Sequence, residues 1–417
     1  MFLIRDYESE KDKQAVCRMW QEVGWLKRSK QADAATDDFI KSGRALVAEY
    51  EDTAEAMAAS LTGTMRYLDE ELRLAGITAV TVSHIARKHG LAGRLTARLM
   101  AEDAAAGAHV MALSMFEKGF YNQMGFGTGG YVHWISFDPA QLRPDRNAPL
   151  KVKARIPRRL TMEDSRAIHA ARLARLRGHG ACNLAALAAT RSAFLWFNDG
   201  FGLGYASDPD GPLSHYIWCS SEGKHGPYNI WHMIYQNGEQ LRELLTLVRS
   251  LGDQVHLIKM REPAGIQLQD FLAQPFRFQR LTERSKYECR ISARAYWQVR
   301  IADLSACLAQ THLVGEPVRF NLELTDPVAR FLDKDAPWRG LSGDYVITLG
   351  PESSAHPGTD PALPTLKATA NAFSRLWLGV RAASSLTISD RLSGPLELLR
   401  VLDRVLCLPD PELDWDF

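Results

Sequence analysis

The sequence lacks a surplus of either charge: 50 Lys and Arg stand against 49 Asp and Glu over 417 residues. A chain so balanced carries no general field for nucleic acid or an anionic membrane, so any basic function must be local. It also lacks paired cysteines. Cys17, Cys182, Cys219, Cys289, Cys307 and Cys407 are scattered without a C-x-x-C pair, which excludes a recognisable zinc motif and fits reduced thiols. The 12 histidines show no metal-ligand spacing, so His232 and His256 read as structural residues in strands. No run approaches the ~20 apolar residues of a membrane-spanning helix. The opening MFLIRDYESEKDK turns acidic by Asp6, without a signal-peptide core. The expectation is a soluble, cytoplasmic protein with no metal and no nucleic-acid or membrane partner.

What is present suits a globular protein. A hydrophobic share of 46% with 24% charged residues is enough to build large cores, and the length suggests two to four domains. Val16, Met19, Trp20 and Val23 recur at helical spacing, so residues 10–24 read as an amphipathic helix. RALVAEYED (44–52) and the β-branched GITAVTVSH (76–84) read as strands, followed by a helix with Leu91, Leu95 and Leu99 on one face. HVMALSMF (109–116) is the next strand, completing one strand–loop–helix–strand unit.

Proline and basic residues crowd 140–160, a domain joint, and the same order then returns. YNIWHMIY (228–235) reads as a strand, Leu241 to Leu251 as a helix stopping at Gly252, and QVHLIKM (254–260) as a strand. The first unit connects through ARKHGLAGR, the second only through QNGEQL, so the second copy has the architecture without the charges. A third region begins near 285. YWQVRIADLSACLAQ gives a strand passing into a helix with Asp303 as N-cap, and VRFNLEL (318–324) and DYVITLG (344–350) are strands. PESSAHPGTDPALP (351–364) reads as an exposed loop, followed by helices around 370–379 and 395–406 with a short segment near 384–390. The expected class is α/β (α+β).

The loop Arg87, Lys88, His89, Gly90, Leu91, Ala92, Gly93 joins a strand end to a helix start. Free N–H groups at such a start, with glycine and two cations, suit a pyrophosphate; the alternative is a glycine-containing turn with solvated basic residues. Neither a Walker A loop nor G-x-G-x-x-G is present. After the next strand comes FEKGFYNQMGFG (116–127). R-x-x-G-x-[GA] after a β-branched strand, then Y-x-x-x-G-[FY] after the following one, resembles the acetyl-CoA site of the GNAT N-acetyltransferases.

That resemblance implies that Val80, Thr81 and Val82 pair with the pantetheine arm of acetyl-CoA. It implies that Arg87 to Gly93 hold its pyrophosphate, that Phe116 and Glu117 contact the cofactor, and that Tyr121 donates a proton to the leaving thiolate. The other reading of Tyr121 is a packing aromatic. Serine is usual in the family where Phe116 stands, and the arginine-rich loop of some relatives is reduced here to Arg87, Lys88 and His89.

Over nearly its whole length the chain resembles a narrower group, the Eis-like acetyltransferases. The resemblance implies tandem GNAT domains, the second degenerate, followed by a sterol-carrier-protein-like (SCP2-like) α+β domain, with boundaries at 1–147, 148–285 and 286–417. It also implies a homo-oligomer, a hexamer. The closing DPELDWDF carries Trp415 and Phe417, which are costly to leave in water. By resemblance the α-carboxylate of Phe417 is a general base, with Asp416 and Trp25 binding the acceptor; otherwise that end only staples the fold. The implied activity is direct transfer of the acetyl group of acetyl-CoA, without a metal, to a primary amine of a cationic acceptor. An aminoglycoside-like molecule, a polyamine or a lysine side chain would serve. The alternative is a lipid- or hydrophobic-ligand-binding protein with a vestigial CoA site, using FSRLWLGV (373–380) to line an apolar pocket.

Overall fold

The computed structural model describes residues 2–26, 30–115, 117–144, 155–196, 200–208 and 211–416. The chain divides into two compact units. The first comprises Met1–Gly130, Gly178–Ala188 and Ala295–Phe417; the second comprises Tyr131–Arg177 and Ala189–Arg294. Among the described residues no helix is long and apolar enough to cross a membrane.

In the first unit, β1 (Leu3–Asp6), α1 (Ser9–Glu22), α2 (Lys30–Lys41), β2 (Arg44–Tyr50), β3 (Thr53–Tyr67) and β4 (Glu70–Val82) follow in order. After them come α3 (Leu91–Ala105), β5 (Val110–Ser114), α4 (Lys118–Asn122) and β6 (Gly127–Thr128). The strands lie in the order β1-β2-β3-β4-β5, then the strand Trp297–Ile301, then β6. The helical spacing holds as expected: Val16, Met19 and Trp20 of α1 are buried, and Leu91, Leu95 and Leu99 of α3 pack on Leu46, Ala48, Ala56 and Ala58. The strand expected over 76–84 is the second half of a much longer one, paired antiparallel with β3 from Tyr67↔Glu70 to Ala56↔Val82.

A second, five-stranded sheet in this unit runs Ser354–Pro357, Gly343–Leu349, Val318–Thr325, Thr365–Thr369, Leu392–Ser393. The segment 351–364, expected as a loop, is therefore corrected: its residues 354–357 form an edge strand against Tyr345–Thr348. An edge tolerates the proline at its end because one side of the strand makes no ladder. Asp303 does cap the helix Leu304–Ala309, accepting from the Ala306 N–H at 2.9 Å. The helix Ala370–Trp377 docks this sheet onto the first. Trp377 stacks on Tyr67 at 4.4 Å and donates to Thr311 Oγ1, while Ile301 N donates to Ser374 Oγ at 2.9 Å. FSRLWLGV, read as a candidate pocket lining, instead has Phe373, Leu376, Trp377, Leu378 and Val380 buried in packing.

The second unit holds a seven-stranded sheet. Within it Tyr228–Ile234, the helix Gly238–Ser250 and Ile258–Arg261 form the repeated strand–helix–strand unit, with the two strands parallel. Leu241, Leu244, Leu245 and Val248 bury the helix against Ile230, Ile258 and Met260. His232 sits buried in its strand as expected. His256 lies before its strand and stacks on His225 at 5.1 Å.

The last residues form a strap across the first unit. Leu413 and Trp415 are fully buried, Glu412 N donates to the His179 carbonyl at 3.0 Å, and Cys182 N donates to Asp414 Oδ1 at 3.0 Å. Glycine is required beneath the strap, because a Cβ on Gly130 would lie 2.3 Å from the Pro411 carbonyl. His179 ties three segments together. Its Nδ1 accepts from Leu68 N at 3.1 Å and its Nε2 donates to the Leu378 carbonyl at 3.0 Å, which fixes the neutral tautomer.

Burial holds the His179 imidazole below its ordinary pKa of 6.5, against a smaller opposing effect of the Leu378 carbonyl. The folded state therefore binds fewer protons than the unfolded one in this range. The stability His179 contributes is present above about pH 6.5 and is lost as pH falls towards the folded value. Thermal melts between pH 7 and pH 5 should show this decline, and His179→Gln should flatten it while costing about 1–3 kcal/mol at pH 7. Parallel pH slopes for the two proteins would exclude His179 as an acid-sensitive link.

Candidate active site

The site begins where two strands part. β4 and β5 are parallel and pair only at Leu74↔Val110, Ala75↔Met111 and Gly76↔Ala112. β4 continues to Val82 on β3 alone, while β5 continues to Ser114 paired with Trp297. Two residues of β4, Ala79 and Val80, stand opposite Ala58, and Ala79 takes φ +56°. Such a bulge bends a strand and strengthens its twist. Between the diverging halves the facing backbone of Val80, Thr81 and Val82 has no strand partner on the β5 side. Thr81 is buried and its hydroxyl donates to the Ala79 carbonyl at 3.1 Å, whereas Val80 and Val82 are half-buried.

β4 leads through Arg87 into α3. Lys88 (φ +66°) and Gly90 (φ +73°) are left-handed, and Arg87, Lys88, His89 and Gly90 are all exposed. Gly90 is the N-cap and offers no side-chain oxygen, so the N–H groups of Leu91, Ala92 and Gly93 form an uncapped first turn. Nothing lies within 4 Å of the Cβ position of Gly90. Gly93 faces inward, with its Cβ position 3.2 Å from the Phe331 ring. The second unit makes the contrast. There Asn237 caps its helix by accepting from Glu239 N at 3.1 Å and Gln240 N at 3.0 Å. The first turn of that helix is closed by the chain's own side-chain amide, whereas the first turn of α3 has no side-chain cap.

Tyr121 sits on α4, after β5. It is 6% exposed, edge-on to Phe120 at 4.8 Å and to Phe126 at 6.2 Å. Burial pushes its phenol up to about 12, and no hydrogen bond to its hydroxyl is found among the described residues. Glu117 is the helix cap, its carboxylate accepting from Gly119 N and Phe120 N at 3.2 and 2.9 Å, so its side chain is already engaged. Phe116 and Phe417 lie outside the described residues.

The end of the strap lies beside this place. Asp416 Oδ1 accepts from the Tyr296 hydroxyl at 3.2 Å, and the Tyr296 carbonyl accepts from Met115 N at 2.6 Å, directly after β5. Residue 416 is therefore held next to the end of the strand that precedes Tyr121. Trp25 is 39% exposed and meets Trp20 edge-on at 5.8 Å. It follows α1, whose Glu22 accepts from His84 N at 3.2 Å just past β4. Tyr121 and the residues expected to hold the cofactor thus lie on or after the two diverging strands, while Asp416 is tied to Tyr296 and Trp25 to Trp20. Tyr296 was not legible in advance, because a lone tyrosine before a strand carries no pattern.

Residues 4–129 match the family described as an acetyltransferase (GNAT) domain. No curated protein matches the chain. Among solved structures, a GCN5-related N-acetyltransferase of Anabaena variabilis aligns at TM-score 0.77 and 13% identity, and one of Kribbella flavida at 0.74 and 17%. Eis1 of Mycobacterium abscessus aligns at 0.74 and 17% identity. Each alignment covers 100% of both chains, a likeness of fold over the full length. The diverging strands, the uncapped helix start and the buried tyrosine all lie within the matched segment or at its edge. The sequence of residues 4–129 is thus similar to an acetyltransferase (GNAT) domain, and those features fall within that stretch.

Proposed function

We propose that the protein transfers the acetyl group of acetyl-CoA directly to a primary amine of a cationic acceptor. The observation that carries this reading is the cleft between β4 and β5. One wall leads to the uncapped start of α3, and the other leads to Tyr121. The open backbone of Val80 to Val82 suits an amide-bearing pantetheine arm. The first-turn N–H groups of α3, with Arg87 and Lys88, suit a pyrophosphate. Acetyl-CoA bound there supplies an acetyl thioester.

The Tyr121 hydroxyl, protonated throughout the neutral range, is the proton donor for the departing thiolate. A phenol near 12 giving its proton to a thiol near 8.5 is uphill by about 3.5 units, roughly 5 kcal/mol. Its proton must therefore move in concert with C–S cleavage, so that expulsion of the thiol drives the transfer and no free thiolate has to form first. Asp416 supplies negative charge beside the end of β5, which favours a cationic acceptor. The α-carboxylate of Phe417, one residue further, is assigned to orient the ammonium and accept its proton. Aminoglycoside-like molecules, polyamines and lysine side chains all present such an amine.

The five-stranded sheet is assigned as an SCP2-like domain that walls the acceptor side. Against a lipid-carrier reading, the apolar residues of 373–380 are buried, with Trp377 stacked on Tyr67 and their helix packed on the strand Trp297–Ile301. Assembly as a hexamer and a cytoplasmic setting belong to the same proposal, on the resemblance alone.

Three measurements test it. Arg87→Ala with Lys88→Ala should weaken CoA binding about 10- to 100-fold by calorimetry, the value of one or two charge-assisted contacts; unchanged affinity would remove the phosphate-loop assignment. Tyr121→Phe should keep that affinity while lowering turnover by ~10²–10⁴, and a rate within twofold of wild type would make the tyrosine a packing residue. Extending the chain past Phe417 should abolish most turnover with cofactor binding intact, because the carboxylate is displaced by ~3.3 Å per added residue. Phe417→Leu, which keeps that carboxylate, should lose less. Full activity with an ordered extension would leave that end as a staple.

A further inference from the structure

Three consecutive residues after Tyr121 are each held by a side chain from the C-terminal part of the first unit. Gln298 Nε2 donates to Asn122 Oδ1, Arg330 Nη2 donates to Gln123 Oε1 at 2.7 Å, and Arg300 Nη1 donates to the Met124 carbonyl. α4 has five residues, too few to persist as an isolated helix. Beyond the Glu117 cap, its geometry is imposed from outside.

The anchor of this grip is buried. Arg300 Nη2 meets Asp326 Oδ2 at 2.6 Å, and both side chains are fully excluded from solvent. Asp326 is satisfied further by the N–H groups of Val328 (3.2 Å) and Leu341 (2.9 Å). The turn after α4 fits closely around this pair. Gly125 has φ +84°, and a Cβ there would lie 2.7 Å from Arg300 Nη1 and 2.9 Å from Asp326 Oδ1. The segment that carries Arg330 also carries Phe331, the ring set against Gly93 in the first turn of α3. One short stretch of chain therefore touches the helix start at one side of the cleft and the helix end at the other.

With no hydrogen bond to its hydroxyl among the described residues, Tyr121 has nothing at its tip to orient it. The direction of the phenol is inherited from the backbone of α4 and the rings around it. We propose that Gln298, Arg300 and Arg330 are positioning residues for Tyr121, so that the C-terminal part of the unit sets the aim of the proton donor. This rests on the reading of Tyr121 as that donor.

The test is a double-mutant cycle on the full-length, N-terminally tagged protein, with Arg330→Ala and Tyr121→Phe alone and together. Arg330 is exposed, so its truncation leaves the fold in place. Turnover is followed by thiol release from acetyl-CoA, using the best acceptor of a polyamine, aminoglycoside and lysyl-peptide panel. Arg330→Ala should lower kcat about five- to tenfold, a fraction of what a full ~1 Å misplacement costs. KM for acetyl-CoA and the melting temperature should stay near wild type. In the Tyr121→Phe background the same substitution should change kcat by less than about twofold, and Arg330→Lys, which retains a donor for Gln123, should recover most of the loss. An equal loss in both backgrounds, or none in the wild-type background, overturns the proposal. Tyr121→Phe alone retaining full activity would instead remove the proton-donor reading itself.

Discussion

β5 can part from β4 only because its other edge is paired along its whole length. From Val110↔Ile301 to Ser114↔Trp297, five consecutive positions are matched by the strand Trp297–Ile301. Without that partner, the end of β5 would carry open backbone on both sides, and a buried, unpaired ladder is among the more expensive defects a sheet can hold. With it, one edge is satisfied and the opposite edge is free to diverge. The cleft, the turn after it and the placement of α4 all follow from this single pairing.

The same strand carries the side chains that define the site from behind. Its alternation sends Gln298 and Arg300 to one face, where they meet Asn122 and Met124. Neighbouring Val299 and Ile301 are buried with the apolar core. A fully buried Arg300–Asp326 pair is weak evidence for added stability, since desolvation of both ions offsets much of their attraction. Its directional bonds to the Met124 carbonyl and to two backbone amides instead specify one arrangement of the turn. Loss of either partner would leave an uncompensated charge, typically a cost of about 3–5 kcal/mol.

Legibility in the sequence followed the strength of local pattern. α1, α3 and the helix Gly238–Ser250 were readable because leucine, valine and methionine recur at helical spacing, and Asp303 was readable as a cap. β3 was missed and β4 was read only in its second half. AEAMAASLTG is rich in alanine, which carries no β signal, and only the packing of the long hairpin makes it a strand. At the site, the Arg87–Gly93 loop and Tyr121 stood out because composition and spacing are local properties. Tyr296, Gln298 and Arg330 did not, since their significance lies in partners more than 100 residues away in sequence. The strand Trp297–Ile301 was recognisable as a strand, but partner choice depends on tertiary geometry that no window of sequence contains.

The chain leaves the first unit at Gly130, re-enters it briefly over Gly178–Ala188, and returns to complete it only at Ala295. On the ribosome this means that β5 emerges long before its partner. Between Ser114 and Ile301 lie 187 residues of synthesis, counting 301 less 114. At 5–20 residues per second that is roughly 10–40 s with an unpaired, apolar edge exposed. Met111, Ala112 and Leu113 on that edge are fully buried in the finished protein. The nascent first unit must therefore keep that edge from pairing elsewhere until the strand Trp297–Ile301 has been made.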